Sequence, residues 1–142
     1  MNSTLMSFED ICNLNQLAAF NRWCNLRIEK VDPGYVEISI DWKEDLGQYS
    51  GFLHAGVVAT LIDTACGFAA ASMAGTGLLA SHFSVNCLRP AVGEKFVAKA
   101  RVIKPGKSQY FTAGELFSID KGDSRLVATG ETLLTVVQAS ST

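Results

Sequence analysis

Residues 56–74 read GVVATLIDTACGFAAASMA, and this run decides the fold. It is too long for a strand, and wound at 3.6 residues per turn its apolar residues point nearly all round. It therefore predicts a long helix from about 56 to 74, buried on most of its surface and stopped by Gly75-Thr76-Gly77. A membrane span is the rival reading. The run is rich in Ala, Gly, Ser and Thr, has few Leu or Ile, and lacks basic residues at its start, which fits a buried helix of a soluble domain better. A helix apolar all round needs cover on several sides, and a curled sheet supplies it.

The flanking sequence offers that sheet. Upstream lies a loop at 45–54, preceded by Tyr35–Trp42, in which Val36, Ile38, Ile40 and Trp42 alternate with Glu37, Ser39 and Asp41. That alternation predicts a half-buried antiparallel strand. Asp32-Pro33-Gly34 is a turn signal, and strand character appears before it at 23–29. A helix is predicted at about 8–21, capped by Ser7 with Asp10 three positions on, and carrying Ile11, Leu14 and Ala18 at helical spacing. Downstream, strands are expected at about 78–88, 94–104, 108–119 and 125–137. The order is helix, two strands, one long buried helix, four strands: an α+β domain spanning 1–142, without repeats or linkers.

Composition narrows the function classes. The net charge of −2 provides no basic field, so nucleic acid is not expected as a partner. With 48% hydrophobic and 18% charged residues, part of the surface is expected to be buried against another subunit. Cys12, Cys24, Cys66 and Cys87 form no C-x-x-C pair, and His54 and His82 are the only histidines, so no metal site is expected. Reduced core cysteines in a cytoplasmic protein are the simpler reading. No signal peptide is visible, which leaves the sequon at Asn2 idle.

The long helix carries one anomaly. From Leu46 to Leu88 the only Asp, Glu, Lys or Arg is Asp63. Its helical neighbours are Ala59, Thr60, Cys66 and Gly67, so no cation lies within one turn. Burying an ionised carboxylate costs several kcal/mol without compensation. Asp63 is therefore either a structural hydrogen-bonding group or a functional one. The small Gly67 leaves room for a ligand beside it. His54-Ala55-Gly56 opens the helix, and backbone N–H groups at a helix start, aided by its dipole, are suited to an oxyanion. Gln48, fifteen positions before Asp63, has an amide able to hold a nucleophile or water. Gly106-Lys107-Ser108 is no P-loop, because the first glycine is missing and the turn joins two strands. Cys66 lacks a nearby base and is read as packing.

QYSGFLHAGVVATLID at 48–63 and FSVNCLRPAVGE at 83–94 resemble the hotdog-fold acyl-CoA thioesterases of the phenylacetate-degradation and 4-hydroxybenzoyl-CoA type. The likeness extends over roughly 30–137 and includes Lys104-Pro105-Gly106-Lys107. It implies a curved antiparallel sheet wrapped around a long central helix. It implies that Asp63 acts as nucleophile or general base, that Gln48 fills an Asn/Gln position, and that His54 shapes the turn. The N–H of Ala55, with that of Gly56, would polarise the carbonyl. Arg89, Lys104 and Lys107 would meet the CoA phosphates. The substrate would be an aryl- or medium-chain acyl-CoA, with no cofactor beyond the CoA it carries. The protein would be a homodimer or a dimer of dimers with shared sites.

Departures from the pattern are Ala55 for the first glycine of a pair, and Ala80 and Gly67 where relatives place a hydroxyl; Ser81 would face away. His82 is read as an inter-subunit or core histidine. Phe52, Leu53, Leu78, Leu79 and Phe83 are candidate acyl-tunnel residues. A hotdog hydratase or dehydratase and a non-catalytic acyl-CoA-binding module are the rival readings.

Overall fold

The computed structural model describes residues 5–137; the Asn2 sequon lies outside them. Ser7 caps α1 (Phe8–Leu17) in a reciprocal box, its hydroxyl accepting from the Asp10 N–H while Asp10 accepts from the Ser7 N–H. The single helix expected to residue 21 is broken. Ala18 is extended, at φ −88° and ψ 117°, and α2 (Ala19–Trp23) follows. The cause is a buried amide pair. Asn15 donates to the Leu26 carbonyl at 2.9 Å and accepts from Asn21 at 3.1 Å, which fixes the corner. Trp23 consequently ends a helix instead of starting a strand. Asn25, at φ 55°, turns the chain into β1 (Arg27–Asp32).

A two-residue turn with Gly34 at φ 77° leads to β2 (Tyr35–Asp41). Val36, Ile38 and Ile40 are fully buried, as their alternation requires. Ser39, expected on the open face, is also buried, its hydroxyl donating to Glu29 at 2.7 Å. The long helix, α3, spans Ala55–Ala74. Four strands complete the chain: β3 (Leu78–Cys87), β4 (Lys95–Lys104), β5 (Gln109–Asp120) and β6 (Asp123–Val136). They form one six-stranded antiparallel sheet in the order β1-β2-β4-β5-β6-β3, curved around α3. This is the α+β hotdog arrangement. By length and apolar composition α3 could cross a membrane, but here it is the core helix against which the strands pack.

Two features of this packing place the site. First, α3 lies close on the sheet because Gly114 and Gly130 face each other beneath it. A Cβ on Gly130 would come within 2.9 Å of the Ile62 side chain and 2.6 Å of the Ser84 carbonyl. Leu61, Ile62, Ala65, Cys66 and Ala69 are buried on that side, and each large side chain there contributes about 1.5–3 kcal/mol. The helix is not covered all round: Gly56, Ala59, Thr60, Asp63, Thr64 and Gly67 form a stripe left partly open. Second, β3 is an edge strand of ten residues, LLASHFSVNC, without a charged residue or proline. Sheet edges usually carry such residues to block pairing, so this one is open to another strand. His82 is exposed on it and is not a core histidine. Cys87 is likewise exposed, whereas Cys24 and Cys66 are buried.

Candidate active site

Asp63 is half-buried on α3. The Thr132 hydroxyl, from the inner face of β6, donates to its Oδ1 at 3.3 Å. Thr132 is 2% exposed, and its own carbonyl accepts from the Thr112 hydroxyl at 2.7 Å. Burial pushes the Asp63 carboxyl above its ordinary range, and the Thr132 hydrogen bond pulls the other way. Among the described residues no Lys, Arg or His forms an ion pair with it. Neighbouring Cys66 has its thiol pushed up, chiefly by burial, which keeps it a neutral packing group.

The side chain opens on a cavity of ≈ 480 Å³ that also touches Gly67, Leu78, Leu79 and Ala80. A Cβ on Gly67 would meet nothing within 4 Å, so its missing side chain is open space beside the carboxylate. Ser81 is the extra residue of a bulge between Ala80 and His82, bonds the Leu133 carbonyl at 3.3 Å, and stays outside the cavity.

The start of α3 is a separate structure. A helix leaves its first four N–H groups without intrahelical partners. His54 satisfies two of them, those of Gly56 and Val57, and its carbonyl also takes the first i→i−4 bond, from Val58. Its Nδ1 accepts from the Gly56 N–H at 2.8 Å, and its carbonyl accepts from Val57 and Val58. Gly56 is thus not free to bind an oxyanion, contrary to expectation. The Ala55 N–H donates to no group among the described residues. Nδ1 acts as an acceptor, so the neutral imidazole carries its hydrogen on Nε2.

Gln48 sits nearby in the loop. Its side-chain oxygen accepts from the N–H groups of Ser50 and Phe52, which leaves the amide NH2 as its available end. Gln48, His54, Ala55 and Arg89 line a second cleft of ≈ 400 Å³, together with Phe52 and Leu53. Of the five tunnel candidates, Leu78 and Leu79 thus line the first cavity, Phe52 and Leu53 the second, and Phe83 neither.

One chain does not bring these groups together. Ala55 and Asp63 are eight residues apart on one helix, which is about 12 Å along its axis. A thioester carbonyl cannot contact both. The basic residues are divided too. The Arg89 N–H bonds the Val127 carbonyl, whereas Lys104 pairs with Phe111, opposite Leu133. The two places are about 20 Å apart along β6 at 3.3 Å per residue. Lys104 and Lys107 are exposed and line neither cavity.

The sequence reading missed Thr132 and the wall that the N-terminal helices build over the Asp63 cavity. A threonine on the inner face of β6 was legible from alternation, but its partner 69 residues away was not.

Residues 50–136 match the model of the thioesterase superfamily. A thioesterase family protein from Silicibacter pomeroyi is similar in structure, with a TM-score of 0.89 and 32% identity, covering 94% of this chain and 100% of its own. Thioesterase superfamily member 2 from zebrafish shares the fold at a TM-score of 0.79 and 21% identity, covering 92% of this chain and 99% of its own. A Sulfurisphaera tokodaii protein named "Putative esterase" is 26% identical over 127 residues, which are 88% of this chain and 93% of that protein.

Proposed function

The chain belongs to the thioesterase superfamily and is a thioester hydrolase, and from that premise we propose that it cleaves acyl-CoA thioesters at a site completed by two protomers. The observation that carries this reading is Asp63: a carboxylate without a cation among the described residues, pushed up by burial, beside open space and an apolar cavity. Such a group suits attack on an acyl carbon or activation of water.

The 12 Å gap calls for a second copy. Two α3 helices crossing antiparallel about a two-fold axis near Ala59 and Thr60 would set Asp63 of one chain beside Ala55 of its partner. The open stripe on α3 and the unguarded β3 edge support that pairing. The Ala55 N–H would hold the carbonyl oxygen as it becomes an oxyanion, and the Gln48 amide would orient the thioester or the water. Arg89, in the same cleft, would meet the CoA phosphates as a charge. Lys104 and Lys107 would reach that cleft from the opposite protomer.

In the overall reaction the C–S bond breaks, water supplies the hydroxyl of the acid, and its proton goes to the thiolate of CoA. Asp63 either forms a mixed anhydride that water opens, or takes the proton from water directly. No cofactor is needed for either route. Four free thiols suit the cytoplasm as the setting.

His54 weighs against the rival hydratase chemistry. Its Nδ1 is occupied as a helix cap, which leaves only Nε2 for moving a proton.

The test is thiol release from a panel of acetyl- to dodecanoyl-CoA and benzoyl-CoA, with Asp63→Asn alongside. The expected result is hydrolysis by the wild type and loss of at least about a thousandfold in the variant. Hydrolysis undiminished in Asp63→Asn refutes the mechanism. Hydration of an enoyl-CoA without thiol release, or binding with no turnover at all, refutes the function.

A further inference from the structure

The cavity at Asp63 has a wall that the catalytic reading does not use. Leu14 and Leu17 of α1, Ala18 at the break and Asn21 of α2 close it on one side. Gly67, Phe68 and Ala71 of α3 form the other. It continues to Gly75 and Gly77 beyond the end of the helix. From Asp63 to Gly75 is twelve residues, so the cavity extends about 18 Å along the helix axis.

Its volume of ≈ 480 Å³ lies inside the range of about 300–1,000 Å³ usual for small-molecule sites. Asp63 is the one charged residue lining it, and it stands at one end. Beyond it the lining is mostly apolar or small, with Asn21, Thr64 and Thr76 as its uncharged polar members and Phe68 as its one aromatic ring. The broken helix matters here: the Asn15–Asn21 bond sets the corner at Ala18 that brings both short helices to the wall.

We propose that this cavity is the acyl-binding site and that it takes an unbranched aliphatic chain of medium length, measured against the N-terminal helices. The inference rests on the thioester reading above and narrows it. A staggered chain with C–C bonds of about 1.5 Å advances about 1.3 Å per carbon, and its terminal methyl takes up about 2 Å more, so about 18 Å accommodates some twelve carbons beyond the carboxylate. An aromatic acyl group would leave most of that length empty. The apolar lining gains from every added methylene, whereas the carboxylate end is where the polar thioester group belongs.

Two measurements on the whole 142-residue chain test this. The first is kcat/KM for straight-chain acyl-CoAs from four to sixteen carbons, with benzoyl-CoA as the aromatic comparison. It should rise by up to about fourfold per methylene, the equivalent of about 0.8 kcal/mol per buried CH2, and level off near about twelve carbons. Ala71→Leu places bulk about 12 Å along the helix from Asp63 and should lower the dodecanoyl-to-hexanoyl ratio at least tenfold. Ala71 is only 5% exposed, so Ala18→Leu, on the exposed opposite wall, is a second variant expected to lower the same ratio.

The second measurement is the affinity of S-alkyl-CoA thioethers, which have no carbonyl to hydrolyse. Wild-type affinity should increase with alkyl length and lose that dependence in Ala71→Leu. Flat chain-length dependence, preference for benzoyl-CoA, or an unchanged ratio in both folded variants overturns the proposal. Absence of thiol release from every acyl-CoA would instead overturn the activity, and length-dependent thioether binding would still support the cavity assignment.

Discussion

Replacing Ala55 by proline would remove a single hydrogen and little else. Ala55 is the first residue of α3, the position where proline is best tolerated, because its N–H has no intrahelical partner. The residue before a proline must be extended, and His54 already is, at φ −60° and ψ 136°. The hydrogen bonds that His54 accepts from Gly56, Val57 and Val58 do not involve the Ala55 N–H. Folding stability is therefore expected to stay within about 0.5 kcal/mol of wild type, or to rise slightly from the stiffer unfolded chain. Catalysis is a different matter. If that N–H is the oxyanion donor, its loss should lower kcat by about a hundred- to a thousandfold, as removing one such donor does elsewhere, with KM changing far less. Ala55→Gly keeps the N–H and should stay within a few fold of wild type. Thiol release under steady-state conditions, with a melting curve on the same samples, reads all of this. A folded Ala55→Pro enzyme with near-wild-type kcat would refute the assignment.

Two further substitutions probe the carboxylate. Thr132→Val removes the donor that holds the Asp63 carboxyl down, so this group, already pushed up by burial, moves further up. In the proposed mechanism Asp63 acts in its ionised form, so the acid limb of the pH–rate profile should shift to higher pH, and Thr132→Ser should restore it; an unmoved limb in Thr132→Val would show that the hydroxyl does not tune Asp63. Gly67→Ala introduces a methyl that meets nothing within 4 Å, in a helix interior. It should stabilise the fold by about 0.5–1 kcal/mol while raising KM for the thioester, because it fills the approach to Asp63. A lower melting temperature, or an unchanged KM, contradicts that picture.

The architecture was legible because its two signals are strong. A run such as 56–74 can only be a core helix or a span, and the alternation in 35–42 fixes which side of the strand meets that helix. The break at Ala18 was not legible. Nothing local marks it, and what fixes it is a pair of buried hydrogen bonds, from the Asn15 amide to the Leu26 carbonyl eleven residues away and from the Asn21 amide to Asn15. Local patterning likewise cannot reveal that Thr132 reaches Asp63, since that contact joins a helix to the sixth strand.

The isolation of Asp63 was visible in the charge pattern, but its surroundings were not. His54 shows a different kind of shortfall. Its position ahead of the helix was plain, yet which N–H its ring would take depended on side-chain geometry, and that geometry leaves Ala55 as the free donor rather than Gly56. The eight-residue spacing of Ala55 and Asp63 stood in the sequence throughout. Its consequence lies in the fold: Asp63 and Ala55 line separate cavities of one chain, which is why we propose that two chains share each site.

That sharing can be measured directly. Ala55→Pro and Asp63→Asn chains, co-expressed with different affinity tags and purified through both, give a heterodimer in which one site pairs the intact Asp63 with the intact Ala55 and the other holds both lesions. The account predicts that each variant alone is nearly inactive towards acyl-CoA and that the heterodimer recovers about half of wild-type thiol release per dimer. A heterodimer as inactive as its parents would mean that each chain carries its whole site, and would contradict the shared thioesterase centre.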